Sequence, residues 1–177
     1  MTDFLIVGAG SAGAVLAARL SENPARSVVL LEADPDHPDL HALPDDVRDS
    51  RGLGGPAHQW GYQAEALPGR KIAYARGRLV GGTGAINAAA AQWARPADIA
   101  AWQARGLNDW RWDEVEPWFR QIESDRDAPG GRHGRSAPIP IMSYRRDELI
   151  PIQRSFSAGC RETGFAEVAD LTHQSVI

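Results

Sequence analysis

The stretch DFLIVGAGSAGAVLAARL, Asp3 to Leu20, decides how the rest of the chain is read. Its glycines at positions 8, 10 and 13 have the spacing G-x-G-x-x-G. That spacing is common by chance, so the flanks carry the assignment. Before it runs Phe4-Leu5-Ile6-Val7, apolar and β-branched, which predicts a short buried strand. After it, Ala12 to Leu20 is rich in Ala and Leu, with Val15, Leu16 and Leu20 at helical spacing and Ser11 at a first-turn position, which predicts a helix. Strand, glycine turn and helix together form the context of a dinucleotide fingerprint. In that context Gly8 permits the tight turn, Gly10 lets backbone approach a pyrophosphate, and Gly13 lets the helix lie close on the strand. The N–H groups at the helix start then face the anion.

A second apolar run, Ser27 to Leu31, predicts the next strand and ends in Glu32, roughly 20 residues past the last glycine, where a ribose-binding acid is expected. A carboxylate there accepts from ribose hydroxyls and repels a 2′-phosphate, which favours FAD or NAD over NADP. The competing reading is a glycine-rich turn followed by a surface glutamate.

With 177 residues, 43% hydrophobic content and a formal charge of -4, the chain has the composition of a globular protein with a core. A mildly acidic chain without a basic run does not point to nucleic acid. One cysteine, Cys160, offers no internal disulfide, redox pair or zinc site. No stretch has the roughly 18 uninterrupted apolar residues of a membrane helix, and the N-terminus lacks the basic leading region of a signal peptide. A cytoplasmic location is the expectation.

From Ala33 to Pro56 the chain is rich in Asp, Pro and His and reads as a surface excursion. His37 and His41 stand four apart, but Pro38 between them discourages a helix, and solvated loop histidines are expected rather than metal ligands. Extended stretches at 60–64 and 71–75, separated by Pro68-Gly69, predict a hairpin. Gly77, Gly81, Gly82 and Gly84 form a second glycine-rich loop, followed by an alanine run small enough to pack on a flat ligand. Helices are expected from Asp98 to Ala104 and from Asp113 to Glu123, the latter capped by Asp113, with Val115, Trp118, Phe119 and Ile122 as its apolar face. Trp93, Trp102, Trp110, Trp112 and Trp118 are expected to be core residues.

The block GRLVGGTGAIN from Gly77, followed by ARPAD, DWRW and PWF, resembles the signature region of the glucose-methanol-choline (GMC) flavoprotein oxidoreductases. The opening DFLIVGAGSAGAVLAARLSE, LLEA at Glu32-Ala33, QWGYQAE around Trp60, and HGRSAPIPI from His133 resemble the same family, in the same order. The resemblance spans nearly the whole chain. It implies an α/β, Rossmann-like FAD-binding fold of the GMC type, incomplete here. It places the N-terminal part of the FAD-binding domain at 1–135 and the start of the substrate domain at 136–177. Within the first part lie the βαβ unit at 3–32, the flavin loop at 76–91 and Trp-rich helices at 98–123.

The function implied is oxidation of an alcohol by hydride transfer to flavin N5, with a small-molecule alcohol and an electron acceptor as partners. Carried over by position, Gly8, Gly10, Ser11, Ala12 and Gly13 face the pyrophosphate, Glu32 holds the adenosine ribose, and Gly81, Gly82, Thr83, Asn87 and Ala88 line the flavin end. Ala33, Trp60 and Arg76 complete the cofactor-binding set that the resemblance implies. Backbone N–H groups of a glycine loop can meet flavin carbonyl oxygens, and small side chains let the ring approach.

The chain departs from its relatives at Asp34, where Gly is common, and at Thr83-Gly84, where two serines are common. Ile86 stands where covalently flavinylated relatives carry His, so non-covalent FAD is expected. The family's catalytic His lies near a distant C-terminus and has no counterpart in this sequence. His173 does not match its position, and His58 and His133 read as structural or exposed. No catalytic residue is assigned, and the chain reads as the N-terminal part of a longer enzyme. The alternatives are a stand-alone, non-catalytic flavin- or nucleotide-binding module and an NAD-dependent dehydrogenase.

Overall fold

The computed structural model describes residues 1–50, 52–128, 131–168 and 170. They fall into two compact units, Met1–Ala90 and Ala91–Ile177.

In the first unit, β1 (Phe4–Val7) leads through the glycine turn into α1 (Ser11–Ser21) and returns as β2 (Val28–Leu31). The strands pair in parallel, Phe4 opposite Val28 through Val7 opposite Leu31, which is the expected βαβ arrangement. Asp3 fastens the entry: its carboxylate accepts from Ser27 N at 2.7 Å and its own N–H reaches Ser27 O at 3.1 Å. The expectation of buried strands does not hold. Helix α1 covers one face of this two-stranded sheet, but Leu5 and Val7 remain 62% and 80% exposed. An apolar run becomes interior only when both faces of its sheet meet another layer.

A short helix α2 (Asp45–Arg48) lies in the Asp- and Pro-rich excursion. The hairpin β3 (Gln63–Leu67) and β4 (Arg70–Ala73) turns at Pro68-Gly69, as its sequence suggests, with a bulge near Leu67. Its ladder continues beyond the strands, with Tyr74 N bonded to Tyr62 O, Trp60 N to Arg76 O, and Arg78 N to His58 O. This extension carries the chain into the second glycine loop. That loop contains a 3-10 turn, Gly82–Ala85, and is anchored by the buried side chains of Leu79 and Ile86.

The second unit contains α3 (Pro96–Gln103), α4 (Trp112–Ile122), β5 (Glu123–Asp125), β6 (Ile139–Ile141) and α5 (Pro151–Glu162), with β5 and β6 parallel. Helix α3 starts two residues before the expected position because Pro96 fits the first helical position. Its start is reinforced by Asp98, whose carboxylate accepts from Arg95 N at 3.0 Å. Helix α4 begins at Trp112, so Asp113 lies in its first turn and is not the N-cap; there it pairs with Arg111. The tryptophan expectation holds for Trp93, which is buried, and fails for Trp102, Trp110 and Trp118, which are 40%, 45% and 64% exposed. Trp102 and Trp110 cover each other edge to face at 5.3 Å. The apolar stripe of α4 is two rows wide; Phe119 packs on Trp93, while Trp118 and Ile122 lie on the exposed row.

Candidate functional site: the glycine junction

The first glycine loop is shaped by what its residues lack. Gly8 has φ +96°, and a Cβ at Gly13 would lie 1.9 Å from Gly8 O, so only glycine lets α1 sit on the turn. Gly10 is the N-cap and brings no side chain to the helix end. The first bond returning to that cap is Ala14 N to Gly10 O at 2.9 Å, so the N–H groups of Ser11, Ala12 and Gly13 precede it. No acidic residue occupies the first turn of α1. A helix start without an internal anion is suited to an external one.

The second glycine loop docks onto the first by backbone. Gly81 N donates to Ala9 O at 2.8 Å, and a Cβ on Gly82 would come 2.8 Å from Gly10 Cα. Gly82 N donates to Leu79 O. Gly81 and Gly82 therefore shape the junction with N–H groups already engaged within the protein. Thr83 Oγ1 accepts from Gly77 N at 3.2 Å, closing the loop on itself. Where the loops meet, an open cavity of about 450 Å³ is walled by Gly8, Gly10, Ser11, Ala12 and Gly13 on one side and Thr83 and Gly84 on the other. Ile6, Val7 and Leu16 complete it, so among the described residues no ionisable side chain lines it.

The remaining residues expected at the site lie outside this lining. Glu32 follows β2 directly; its Oε2 accepts from Ala9 N at 2.7 Å and its Oε1 from Ala33 N at 2.8 Å, which ties the acid to the back of the glycine turn. Asn87 Oδ1 accepts from Ala89 N at 2.7 Å, holding Ala89 at φ +53°, and the intervening Ala88 is exposed. Trp60 stacks on Tyr62 at 5.9 Å. The Arg76 guanidinium lies 3.8 Å from the centroid of the Tyr74 ring and donates to Ala75 O.

Two features of the junction had no sequence signal. Ala9, 1% exposed, bonds Glu32 through its N–H and Gly81 through its carbonyl, so it joins β2, the first loop and the second. Asp34 accepts from Arg78 Nε at 2.9 Å, a second link between the end of β2 and the second loop. Local spacing cannot announce a pair separated by 44 residues.

The histidines hold structure. His58 bonds Asp46 at 2.8 Å, and that hydrogen bond, assisted by Gly55 N, holds the Asp46 carboxyl below its usual range. His37 packs edge-on against the His58 ring at 5.5 Å, and His41 N bonds Asp39. Among the described residues no group of three or more His, Cys, Asp or Glu is placed to hold a metal. His133 lies in a buried cluster of the second unit, with Nδ1 2.7 Å from Glu123 Oε1. His173 lies outside the described residues.

Comparison with known proteins places this junction in context. The GMC oxidoreductase family, in its N-terminal part, matches residues 2–175. A GMC-type oxidoreductase of Rhodococcus erythropolis, itself uncharacterised, is 40% identical over 95% of this chain and 34% of its own length. The crystal structure of a pyridoxine 4-oxidase from Mesorbium loti superposes with a TM-score of 0.81 at 36% identity, over 96% of this chain and 33% of that one. A formate oxidase of Aspergillus oryzae, studied for FAD modification, superposes with a TM-score of 0.75 at 26% identity, over 94% and 31%. The chain thus spans about a third of the length of these relatives.

Proposed function

Because the chain belongs to the GMC oxidoreductase family, we propose that the glycine junction is the FAD site of an oxidoreductase that acts on the CH–OH group of a small alcohol. The observation that carries this reading is the backbone docking of the two glycine loops, Gly81 N on Ala9 O, around a helix start whose cap has no side chain. A single dinucleotide fingerprint would serve NAD equally well. The second loop, which adds Thr83 and Gly84 to the same cavity, favours the larger flavin cofactor.

The residues present fit the group. Ser11, Ala12 and Gly13 present helix-start N–H groups to a diphosphate, and the absence of any Cβ at Gly10 lets it approach the backbone. Glu32, oriented by Ala9 N and Ala33 N, retains acceptor capacity for ribose hydroxyls. Thr83, Asn87 and Ala88 belong to the loop that meets the flavin end, with Asn87 fixing the turn that presents Ala88. Ile86 is 3% exposed and is no nucleophile, so the cofactor is held without a covalent bond. When bound, FAD would supply at N5 an acceptor for the carbinol hydride, with a separate electron acceptor as the final oxidant. The alcohol's hydroxyl proton needs a base, and none of the described residues lining the junction is one.

Among the described residues no helix is long and apolar enough to cross a membrane. A cytoplasmic enzyme is the reading supported by a single cysteine and an acidic, uninterrupted globular composition.

Titration of the purified protein with FAD and with NAD, followed by gel filtration and visible spectroscopy, tests the proposal. The expected result is a flavin spectrum that co-elutes with folded protein and is released by denaturation. Folded protein that retains NAD but no flavin overturns it.

A further inference from the structure

The second unit holds a buried ionisable cluster that the flavin site does not use. Glu123, 5% exposed, is the first residue of β5. Its Oε2 accepts from Trp93 Nε1 at 2.8 Å, and its Oε1 accepts from Gly134 N at 2.9 Å. The same Oε1 lies 2.7 Å from His133 Nδ1, and on the other side of the ring His133 Nε2 lies 3.2 Å from Asp170 Oδ2. The Trp93 ring packs on the imidazole at 4.6 Å and is backed by Phe119 at 5.3 Å.

An ionised carboxylate only accepts, and a neutral imidazole donates from one nitrogen. Both contacts are hydrogen bonds only when His133 carries two protons. Burial opposes that charge, but the hydrogen bonds to Asp170 and Glu123 outweigh it and raise the His133 pKa above its ordinary value. Among the described residues, the charged groups facing the ring are Glu123 from β5 and Asp170 from the segment after α5. Trp93 and Phe119 present uncharged faces. Asp125, also buried, turns its carboxylate to Asp127 N and Ala128 N, and the Arg135 guanidinium reaches the carbonyls of Arg126 and Ala128.

We propose that Glu123, His133 and Asp170 form a proton-operated latch, in which doubly protonated His133 fastens the segment after α5 to the loop between β5 and β6. Loss of one proton keeps the shorter Nδ1 bond to Glu123 and breaks the Nε2 bond to Asp170. Because the folded-state pKa is raised, the latch is fully made below the pKa of an unfolded imidazole and is lost as pH rises through the folded value. It is therefore closed on the acidic side and open on the alkaline side.

Hydrogen exchange of the full-length protein, corrected for intrinsic rates between about pH 5.5 and 9, reads the latch directly. Peptides over 163–170 are expected to lose protection roughly tenfold across that range, while peptides over α4 and β5 stay unchanged. Asp170→Ala, which leaves neither donor nor acceptor opposite His133 Nε2, is expected to leave 163–170 weakly protected at every pH. In the wild-type protein, imidazole 15N shifts are expected to show His133 doubly protonated at about pH 6 and losing its Nε2 proton on the alkaline side. Protection over 163–170 that does not vary with pH, a pH dependence that persists in Asp170→Ala, or a His133 that is neutral at about pH 6 each overturns the proposal.

Discussion

Gly82 and Gly10 meet backbone to backbone, so close that a Cβ on Gly82 would lie 2.8 Å from Gly10 Cα. Gly82 also has φ +56°, a left-handed conformation. Gly82→Ala therefore carries two penalties: roughly 1–2 kcal/mol for the left-handed residue and about 1–3 kcal/mol for overpacking. Weaker FAD binding, by about tenfold or more, and a lower melting temperature are expected. Gly69→Ala, at φ +77° with nothing within 4 Å of its Cβ, should carry the strain alone and leave FAD affinity unchanged. Flavin titration and thermal melts of both variants separate the two effects.

Glu32→Ala removes the acceptor for Ala9 N as well as the proposed ribose contact. Hydrogen bonds to a charged group are worth about 1.5–3 kcal/mol each, so FAD affinity should fall by one to two orders of magnitude. Glu32→Gln keeps one carbonyl oxygen and should lose less. Equilibrium dialysis with FAD checks the ranking; equal affinities would show that the ribose is held elsewhere.

Residues 1–177 supplied with FAD and a dye acceptor should show no turnover of primary alcohols. None of the described residues lining the junction can accept the hydroxyl proton, and a positioned base is worth about 10²- to 10⁴-fold. Dye-reduction assays against a panel of alcohols measure this. Sustained flavin-dependent turnover would mean that a base reaches the junction from elsewhere in the chain.

Ala89 has φ +53°, held there by the Asn87 side chain. Ala89→Gly relieves that strain, partly offset by the entropy of an added glycine, and should raise stability by about 0.5–1 kcal/mol. Asn87→Ala should lower it by a similar amount. Urea unfolding midpoints of the two variants should move in opposite directions.

The first βαβ unit was legible because its signals are local: β1 matches Phe4 to Val7, α1 starts at Ser11, and β2 ends at Leu31 just before Glu32. The hairpin was legible from Pro68-Gly69 for the same reason. Burial was not, because the exposure of Leu5, Val7 and Trp118 depends on which layers meet their faces, which no window of sequence contains. Within the site, the glycines could be read from spacing, whereas the links through Ala9 and Asp34 arise only when distant segments are folded together. The role of His133 depended on Glu123 and Asp170, which lie 10 and 37 residues away.

The clasp between Asp3 and Ser27, which closes the parallel pair β1–β2, joins residues 24 apart. During synthesis β1 emerges first and finds no neighbour until the ribosome has delivered the whole of α1 and β2. At translation rates of about 5–20 residues per second that wait lasts roughly 1–5 s. Throughout it the nascent chain displays Phe4, Leu5 and Val7, and even after pairing Leu5 and Val7 stay uncovered. The glycine turn is thus made beside an apolar strand that stays bare for seconds, open to competing apolar contacts throughout that interval.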